Sequence, residues 1–288
     1  GREIPIIADP LLVDPELGTG AVKVTPAHDR NDYACGQRNN LPLVNILNPD
    51  GTLNDLCGPY AGMERYKARE KVVADMEALG FFEGREDREI DLAHSDRSKT
   101  PIEPMLSDQW FIRMDELAEK AMAAVRDGQV RITPARYATT YLDWLSEKRD
   151  WCISRQLWWG HQIPVWYRKG TAHASEIHPG VAEVFVHDEI RCQIDSPGPD
   201  WKQDPDVLDT WFSSWLWPFA TMGWPENTET LKKFYPTTDL VTGPDIIFFW
   251  VARMIMAGYE YMGDLPFRNV YFTGIIRDKQ GRKMSKTL

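Results

Sequence analysis

Apolar and polar positions alternate near the start of the chain and recur at helical spacing further along it. Residues 1–60 resemble short strands and turns, and the stretch 21–25 has the two-residue period of a strand, with Lys23 and Thr25 on one face. In the stretch 66–79, apolar residues recur every three or four positions and a glycine follows, as at a helix end. This combination predicts a compact α+β or barrel module.

The pattern changes in the later part of the chain. A helix is predicted over 114–125, and the last fifty residues predict a strand at 239–243, a helix at 245–262 and an apolar strand at 270–276. A strand, a crossover helix and a second strand indicate a parallel sheet. The stretch 169–206 has scattered Pro, Gly and His with weak periodicity, and we expect a variable insertion there.

Composition narrows the class of protein. Hydrophobic residues make up 43% of the chain, which is enough for a core, and the net charge of −10 argues against a protein that coats nucleic acid nonspecifically. The 4 Cys residues have no C-x-x-C spacing, so they predict neither a zinc ribbon nor a redox pair and favour a reducing compartment. The most apolar stretch, 245–258, contains Arg253 and is too short to span a bilayer. We expect a soluble, cytoplasmic protein with no membrane segment.

A basic run at 282–287 is the first candidate for chemistry. Lys283 and Lys286 are three residues apart on a loop that follows a predicted parallel strand. Two ammonium groups at this spacing suit a polyphosphate, because nucleotidyl transfer needs positive charge where negative charge develops. A short charged run is equally typical of a solvated surface loop. The residues by themselves leave both interpretations open.

The block 270–287 resembles the second signature of class I aminoacyl-tRNA synthetases, the K-M-S-K-S loop, with Thr287 in place of the last Ser. In that family the lysines stabilise the pyrophosphate leaving group during amino-acid activation. The resemblance therefore implies that Lys283 and Lys286 are catalytic. It also implies an ATP-binding set made of Lys283, Met284, Ser285 and Lys286.

Two more blocks extend the resemblance. In 241–254, Pro244 suits the first helical position and Asp245 lies near the positive end of the helix dipole, as in any capped core helix. The family binds the ATP ribose here, which implies roles for Gly243 and Asp245. The run 206–218 resembles aromatic core, but it is similar to the valine branch of the family. That similarity implies an amino-acid pocket made of Trp211, Ile246 and Trp250.

A polar group follows the alternating stretch near the start of the chain. Lys23 and Thr25 share a face, and the turn after them supplies His28, Asp29 and Asp32. This group suits a small polar ligand, although a polar surface turn has the same composition. The block is similar to the proofreading domain of the valine branch, apart from a Leu where Phe is expected. The similarity implies an editing site of Lys23, Thr25, Asp29 and Asp32, with Asp32 engaging the amino group of a mischarged threonyl ester.

The resemblance covers nearly the whole chain except 169–200. It implies an α/β fold: the second half of a Rossmann-like catalytic domain plus part of an inserted β-rich editing domain of β-barrel, α+β type. The expected divisions are a partial editing domain at 1–105, a return and connecting region at 106–200, and the second catalytic half at 201–288, ending at the lysine loop.

The implied function is ATP-dependent attachment of valine to its tRNA, with hydrolytic proofreading of threonyl-tRNA. ATP would arrive with Mg²⁺ as substrate, no protein-bound metal is expected, and the partners are valine, ATP and a valine-specific tRNA. The family's first signature, His-x-Gly-His, does not occur in the chain. We therefore expect an internal fragment that does not form the adenylate by itself. The alternatives are an isoleucine-branch fragment, an editing-only module and an inactive fragment.

Overall fold

The computed structural model describes residues 3–87, 89–95, 98–168 and 189–284. Contacts among them define two compact units. The N-terminal unit contains the residues up to 108, together with Arg168 and Glu189. The C-terminal unit contains 109–167 and the residues from 190 onwards. Among the described residues, no helix has both the length and the apolarity that crossing a membrane requires.

The N-terminal unit is built on helices and turns. Its helices are α1 (Arg30–Arg38), a 3₁₀ helix at Asp55–Tyr60 and α2 (Arg65–Ala78). Isolated bridges such as Leu47 to Leu53 occur, but none of the described residues before Phe111 belongs to a named strand. The strands predicted within 1–60 are therefore wrong for the described residues. A stretch becomes a strand only when its backbone groups pair with a neighbouring strand, and 21–25 has no such partner in the described part of the unit.

The predicted helix at 66–79 is confirmed as α2. Glu64 caps its start by accepting hydrogen bonds from the backbone N–H groups of Tyr66 and Lys67. Gly80, with φ of +76°, follows its end in the left-handed conformation that favours glycine. Ala68 is buried, whereas Val72 on the predicted apolar stripe is 38% exposed. The helix therefore forms with its apolar stripe only partly covered.

The C-terminal unit carries the strands and most of the core. Its strands are β1 (Phe111–Ile112), β2 (Arg131–Thr133), β3 (Trp151–Cys152), β4 (Ser154–Arg155), β5 (Val165–Arg168), β6 (Ile190–Cys192), β7 (Trp201–Gln203), β8 (Val207–Leu208), β9 (Asp239–Thr242) and β10 (Asn269–Phe272). Its α-helices are α3 (Asp115–Arg126), α4 (Arg136–Ser146), α5 (Thr210–Ser214), α6 (Trp217–Ala220), α7 (Glu229–Phe234) and α8 (Arg253–Ala257).

A parallel sheet of order β2-β10-β9 organises this unit. The predicted parallel arrangement of the last two strands is confirmed, but β10 ends at Phe272 rather than at residue 276. Strand β2 was not predicted, because three residues are too few to show a period. Helices α3 and α4 pack against each other, and α4 also packs against β2. Because the strands are parallel, the segments that follow β9 and β10 leave the same edge of the sheet.

The helix predicted over 245–262 is helical throughout but changes type along its length. It begins as a 3₁₀ turn at Pro244–Ile246, continues as a π-helix at Ile247–Ala252, becomes α8, and ends as a second π-helix at Gly258–Met262. Gly263, with φ of +68°, closes it. Its middle is fully buried in the core. Stretches of π-helix are uncommon and are frequently found at functional sites.

The stretch 169–206 is only partly covered by the described residues. Strands β6 and β7 lie within it and flank β5 in a second sheet of order β6-β5-β7. Two further pairs, β1 with β3 and β4 with β8, are antiparallel. The β4–β8 pair matters for the site because Asp209 follows β8 directly.

Candidate functional site

The edge of the parallel sheet brings together three of the residues predicted to bind ATP. Gly243 follows β9, and a Cβ atom there would lie 2.5 Å from Oδ1 of Asp245 and 2.9 Å from Cδ1 of Ile275. A larger residue at this position would require the ends of the Asp245 and Ile275 side chains to move. Asp245, in the first turn of the helical segment, accepts a hydrogen bond from the ammonium group of Lys283. The carboxylate of Asp245 and the ammonium of Lys283 thus meet beside the backbone of Gly243.

The segment that carries Lys283 is a tight hairpin. The backbone N–H of Asp278 donates to Arg282 O at 2.9 Å, and that of Met284 donates to Ile276 O at 3.2 Å. Hydrogen bonds from the backbone and side chain of Arg282 lower the pKa of Asp278. Gly281, with φ of +79°, allows the turn. The hairpin holds Lys283 towards the helical segment. The predicted roles of Ser285 and Lys286 fall outside the described residues and stay predictions.

The predicted amino-acid pocket draws on α5 and the start of the helical segment. Trp211 stacks on Phe249 with 5.5 Å between ring centroids. The indole Nε1 of Trp250 donates to the carbonyl of Ser214, at the end of α5, at 2.9 Å. Ile246 lies where the 3₁₀ turn meets the π-helix. Trp211, Ile246 and Trp250 are all half-buried, so each keeps some surface that a small ligand can contact.

Beside this pocket lies a buried charged group that the sequence analysis missed. Asp209 and Arg253 are both buried, and Oδ2 of Asp209 is 3.5 Å from a terminal nitrogen of Arg253. The guanidinium carbon of Arg253 lies 3.5 Å from the centroid of the Trp151 ring. Burial lowers the pKa of Arg253 to about 10, while Asp209 acts in the opposite direction. The available signal was an arginine inside the most apolar stretch of the sequence.

Three of the four predicted editing residues form a connected group. The Lys23 ammonium donates to Oγ1 of Thr25 at 3.4 Å. Oδ2 of Asp32 accepts from the Thr25 backbone N–H at 2.7 Å and from its hydroxyl at 3.2 Å. Asp29 has a different place: its Oδ1 accepts from the backbone N–H groups of Asn31 and Asp32 and caps α1. The structure therefore brings Lys23, Thr25 and Asp32 together, whereas Asp29 is the N-cap of α1.

A cavity of about 750 Å³ adjoins the same group. Lys23 and Thr25 line it together with apolar side chains of 4–13, 21–26 and 41–44. Its volume is in the range of small-molecule sites.

His28 forms hydrogen bonds that hold two segments of the N-terminal unit together. Nε2 accepts from the Ile46 backbone N–H at 3.0 Å, so Nδ1 carries the proton and donates to Pro104 O at 2.9 Å.

A second buried carboxylate ties α1 to the start of the chain. Asp9 accepts two hydrogen bonds from the Arg38 guanidinium at 3.0 Å each and one from Nδ2 of Asn39 at 2.9 Å. Burial by itself would raise the pKa of Asp9, but these hydrogen bonds and one from Leu11 lower it to about 2. No group of three or more His, Cys, Asp and Glu side chains placed to hold a metal ion occurs among the described residues.

Comparison with known proteins identifies the class to which these features belong. The family of class I tRNA synthetases (I, L, M and V) matches residues 27–288, and the chain belongs to that family. It therefore has the class I synthetase catalytic-domain fold.

The curated relatives are more specific. The valine–tRNA ligase of Thermotoga maritima is 55% identical over 288 residues, which is 100% of this chain and 32% of that protein. The valine–tRNA ligase of Synechocystis sp. is 51% identical over 292 residues, covering 99% of this chain and 32% of that protein. A solved methionyl-tRNA synthetase of Mycobacterium tuberculosis bound by methionyl-adenylate is 19% identical, with a TM-score of 0.43, and covers 68% of this chain and 32% of that one. The chain thus spans about a third of the length of the curated relatives it matches.

Proposed function

We propose that this chain is part of a cytoplasmic valine–tRNA ligase that joins valine to its tRNA using ATP, supplied with Mg²⁺ as substrate. The observation that carries the proposal is the meeting of Gly243, Asp245 and Lys283 at the edge of the parallel sheet. The relatives at 51–55% identity bear the name of that enzyme. Both of the curated relatives described above are valine enzymes, so the isoleucine alternative is not favoured.

In this proposal, Asp245 and Lys283 exchange partners when ATP binds. The carboxylate of Asp245 accepts hydrogen bonds from the ribose hydroxyls, and the ammonium of Lys283 turns to the phosphates. The valine carboxylate then attacks the α-phosphorus, and pyrophosphate leaves with the bonding electron pair. Positive charge from Lys283, joined by Lys286, stabilises the charge that develops on this leaving group. The absence of a side chain at Gly243 lets the Asp245 carboxylate lie close to the backbone, beside the proposed nucleotide site.

The amino acid lies, in this proposal, between α5 and the helical segment. Trp211, Ile246 and Trp250 supply apolar walls that enclose two methyl groups and leave no room for more. A hydrophobic pocket of this kind rejects an isostere that adds only a hydroxyl by about a hundredfold, and the established case is threonine in a valine pocket. Threonine errors therefore need a second site that clears them.

We assign that second site to the N-terminal unit. Thr25 and Asp32 offer a hydroxyl and a carboxylate to which the hydroxyl of threonine forms hydrogen bonds, whereas the side chain of valine has no polar group that could do so. Asp32 pairs with the substrate ammonium, and Lys23 adds positive charge beside it. The cavity next to Lys23 and Thr25 is large enough for the ester end of the tRNA. This assignment makes 1–105 part of the proofreading domain, 106–200 the connecting region, and 201–288 the second half of a Rossmann-like catalytic domain.

The test uses a full-length ligase in which this chain replaces the matching residues of the Thermotoga maritima relative; this chimera is called the full-length ligase below. We expect valine-dependent exchange of pyrophosphate into ATP, weak exchange with isoleucine, and no accumulation of threonyl-tRNA. The Lys283→Ala variant is the matched control and should slow exchange, by about 2–4 kcal/mol in the barrier, while still clearing added threonyl-tRNA. Exchange that depends on another amino acid, with none on valine, would contradict the proposal.

A second measurement addresses the editing-only alternative. The 288-residue chain by itself is incubated with threonyl-tRNA and with valyl-tRNA. Release of threonine alone, without any valine-dependent exchange in the full-length ligase, would favour a hydrolase on mischarged tRNA over a ligase.

A further inference from the structure

Next to the residues of the proposed amino-acid pocket, Asp209, Arg253 and Trp151 contact one another in a buried triangle. Asp209 is 6% exposed and Arg253 is 7% exposed. Oδ2 of Asp209 lies 3.5 Å from the Arg253 guanidinium and accepts a hydrogen bond from the Trp151 indole at 3.1 Å. The Arg253 guanidinium in turn covers the Trp151 ring. Arg155 contacts the same oxygen of Asp209 at 3.5 Å from a more exposed position. Each member of the triangle therefore touches the other two.

This arrangement is a poor source of stability. Burying both ions costs hydration that their attraction only partly returns, and replacing such a pair by apolar side chains is often neutral or stabilising. The buried Nε of Arg253 has no hydrogen-bond partner among the described residues, which adds to the cost. The pKa of about 10 keeps Arg253 charged at neutral pH. A role other than stability therefore explains these charges better.

The triangle joins the two elements that form the pocket. Asp209 immediately precedes α5, and Arg253 is the first residue of α8, directly after the π-helix. Along the same contact, Trp211 stacks on Phe249 and Trp250 donates to the carbonyl of Ser214. These contacts together hold α5 in register with the helical segment. A shift of α5 along that segment would move Trp211 relative to Trp250.

We propose that Asp209 and Arg253 are positioning residues that set the separation of Trp211 and Trp250, and thereby the largest side chain that the pocket admits. The inference rests on the proposed function, because it takes these indoles as walls of the amino-acid site. A planar guanidinium fixes direction in a way that an apolar contact or an ammonium does not. In this proposal, the charges of Asp209 and Arg253 define the register of α5 against the helical segment, and apolar packing stabilises the fold.

The test compares variants of the full-length ligase. Arg253→Met removes the charge at similar length, Asp209→Asn keeps the acceptor for the Trp151 indole, and the double variant Asp209→Leu with Arg253→Met replaces the pair by apolar groups. Arg268→Met is the matched control, because Arg268 pairs with Asp264 at 3.1 Å in the same unit but is partly exposed. For each variant, the midpoint of thermal unfolding is measured, together with KM and kcat for valine, isoleucine and ATP in pyrophosphate exchange.

We expect the double variant to unfold at the same temperature as the unsubstituted ligase or higher. Its KM for valine should nevertheless rise, and its preference for valine over isoleucine should fall by about tenfold, at the lower end of what one methylene is worth in a well-formed pocket. The KM for ATP should stay unchanged, since the nucleotide lies at Gly243 and Asp245. Arg253→Lys should recover only part of the preference, and Arg268→Met should leave all values unchanged.

Three outcomes would overturn the inference. One is an unchanged preference and an unchanged KM for valine in folded Arg253→Met. Another is an equal change in KM for valine and ATP. The last is a double variant that does not fold, which would show that the pair acts through stability. The proposed function is judged separately, because it fails only if the unsubstituted full-length ligase shows no valine-dependent exchange, in which case the inference falls with it.

Discussion

Replacing Asp32 separates its structural contribution from its proposed chemical one. Oδ2 of Asp32 holds both the backbone N–H and the hydroxyl of Thr25, and the residue is 9% exposed. This burial distinguishes Asp32 from the residues of a polar surface turn, which the composition of the segment also allowed. Asp32→Ala removes the acceptor and the charge together. Asp32→Asn keeps an acceptor for Thr25 and removes only the charge.

The contacts set the expected magnitudes. Hydrogen bonds to a charged group contribute about 1.5–3 kcal/mol, and because Thr25 is exposed, water replaces part of the loss. We therefore expect Asp32→Ala to destabilise the N-terminal unit by about 1.5–3 kcal/mol and Asp32→Asn by about 1 kcal/mol. In proofreading, both variants lose the partner of the substrate ammonium. A preorganised electrostatic contact of this type is worth about 2–4 kcal/mol, so threonyl-tRNA hydrolysis should slow by about thirty- to a thousandfold.

The assay measures threonyl-tRNA hydrolysis and valine-dependent pyrophosphate exchange in the same preparation of the full-length ligase. Exchange should be unchanged in both variants. Asp50→Asn is the matched control, because Asp50 accepts from the backbone N–H and the hydroxyl of Thr52 in the same way, on a separate turn. If Asp32→Asn hydrolysed threonyl-tRNA at the parent rate while Asp32→Ala did not, Asp32 would be a structural residue only. The proofreading assignment would then need another carboxylate.

Three further predictions follow from the geometry. Lys283→Ala should lower kcat for activation, at a cost of about 2–4 kcal/mol in the barrier, and leave the KM for valine unchanged, as pyrophosphate exchange would show. Trp250→Ala should reduce the preference for valine over isoleucine by about 1–3 kcal/mol, whereas Trp250→Phe should keep most of it; equal preference in both variants would move the pocket elsewhere. The pKa of Asp9 is lowered from 3.8 to about 2, so the stability it contributes is present above pH 4 and is lost as the pH falls from 4 to 2. Limited proteolysis of the N-terminal unit across this range should show that loss, and Asp9→Asn should remove Asp9's share of the pH dependence.

Periodic segments could be predicted from the sequence because their signal is local. Helices α2 and α3 repeat their apolar residues over three or more turns, and a glycine follows the C-terminal end of each helix. Strands β9 and β10 are short, but the long helical segment between them required a crossover and hence a parallel pair. The lysine loop and the residues around Gly243 were recognisable because their chemistry lies in contiguous runs.

The N-terminal strands were wrongly predicted because alternating apolar and polar residues do not by themselves provide a neighbouring strand. The stretch 21–25 has the period of a strand, yet a strand exists only when a neighbour accepts and donates its backbone hydrogen bonds. In this stretch the backbone N–H of Thr25 donates its hydrogen bond to the side chain of Asp32, where a strand would need the carbonyl of a neighbouring strand. A pattern of single residues contains no information about which partner, backbone or side chain, a given N–H finds.

Contacts between distant residues were decided by the tertiary structure alone. Trp151, Asp209 and Arg253 are 58 and 44 positions apart along the chain and meet in one buried triangle. No local rule places a carboxylate opposite a particular arginine. The π-helix at Ile247–Ala252, within the segment that changes from 3₁₀ to π to α geometry, likewise packs against the distant elements α4 and α5. The sequence by itself determined the helices at 66–79, 114–125 and 245–262 and the loop that carries Lys283, because those depend on neighbours in the chain. The packing of the folded core decided which charges are paired and which aromatic rings stack.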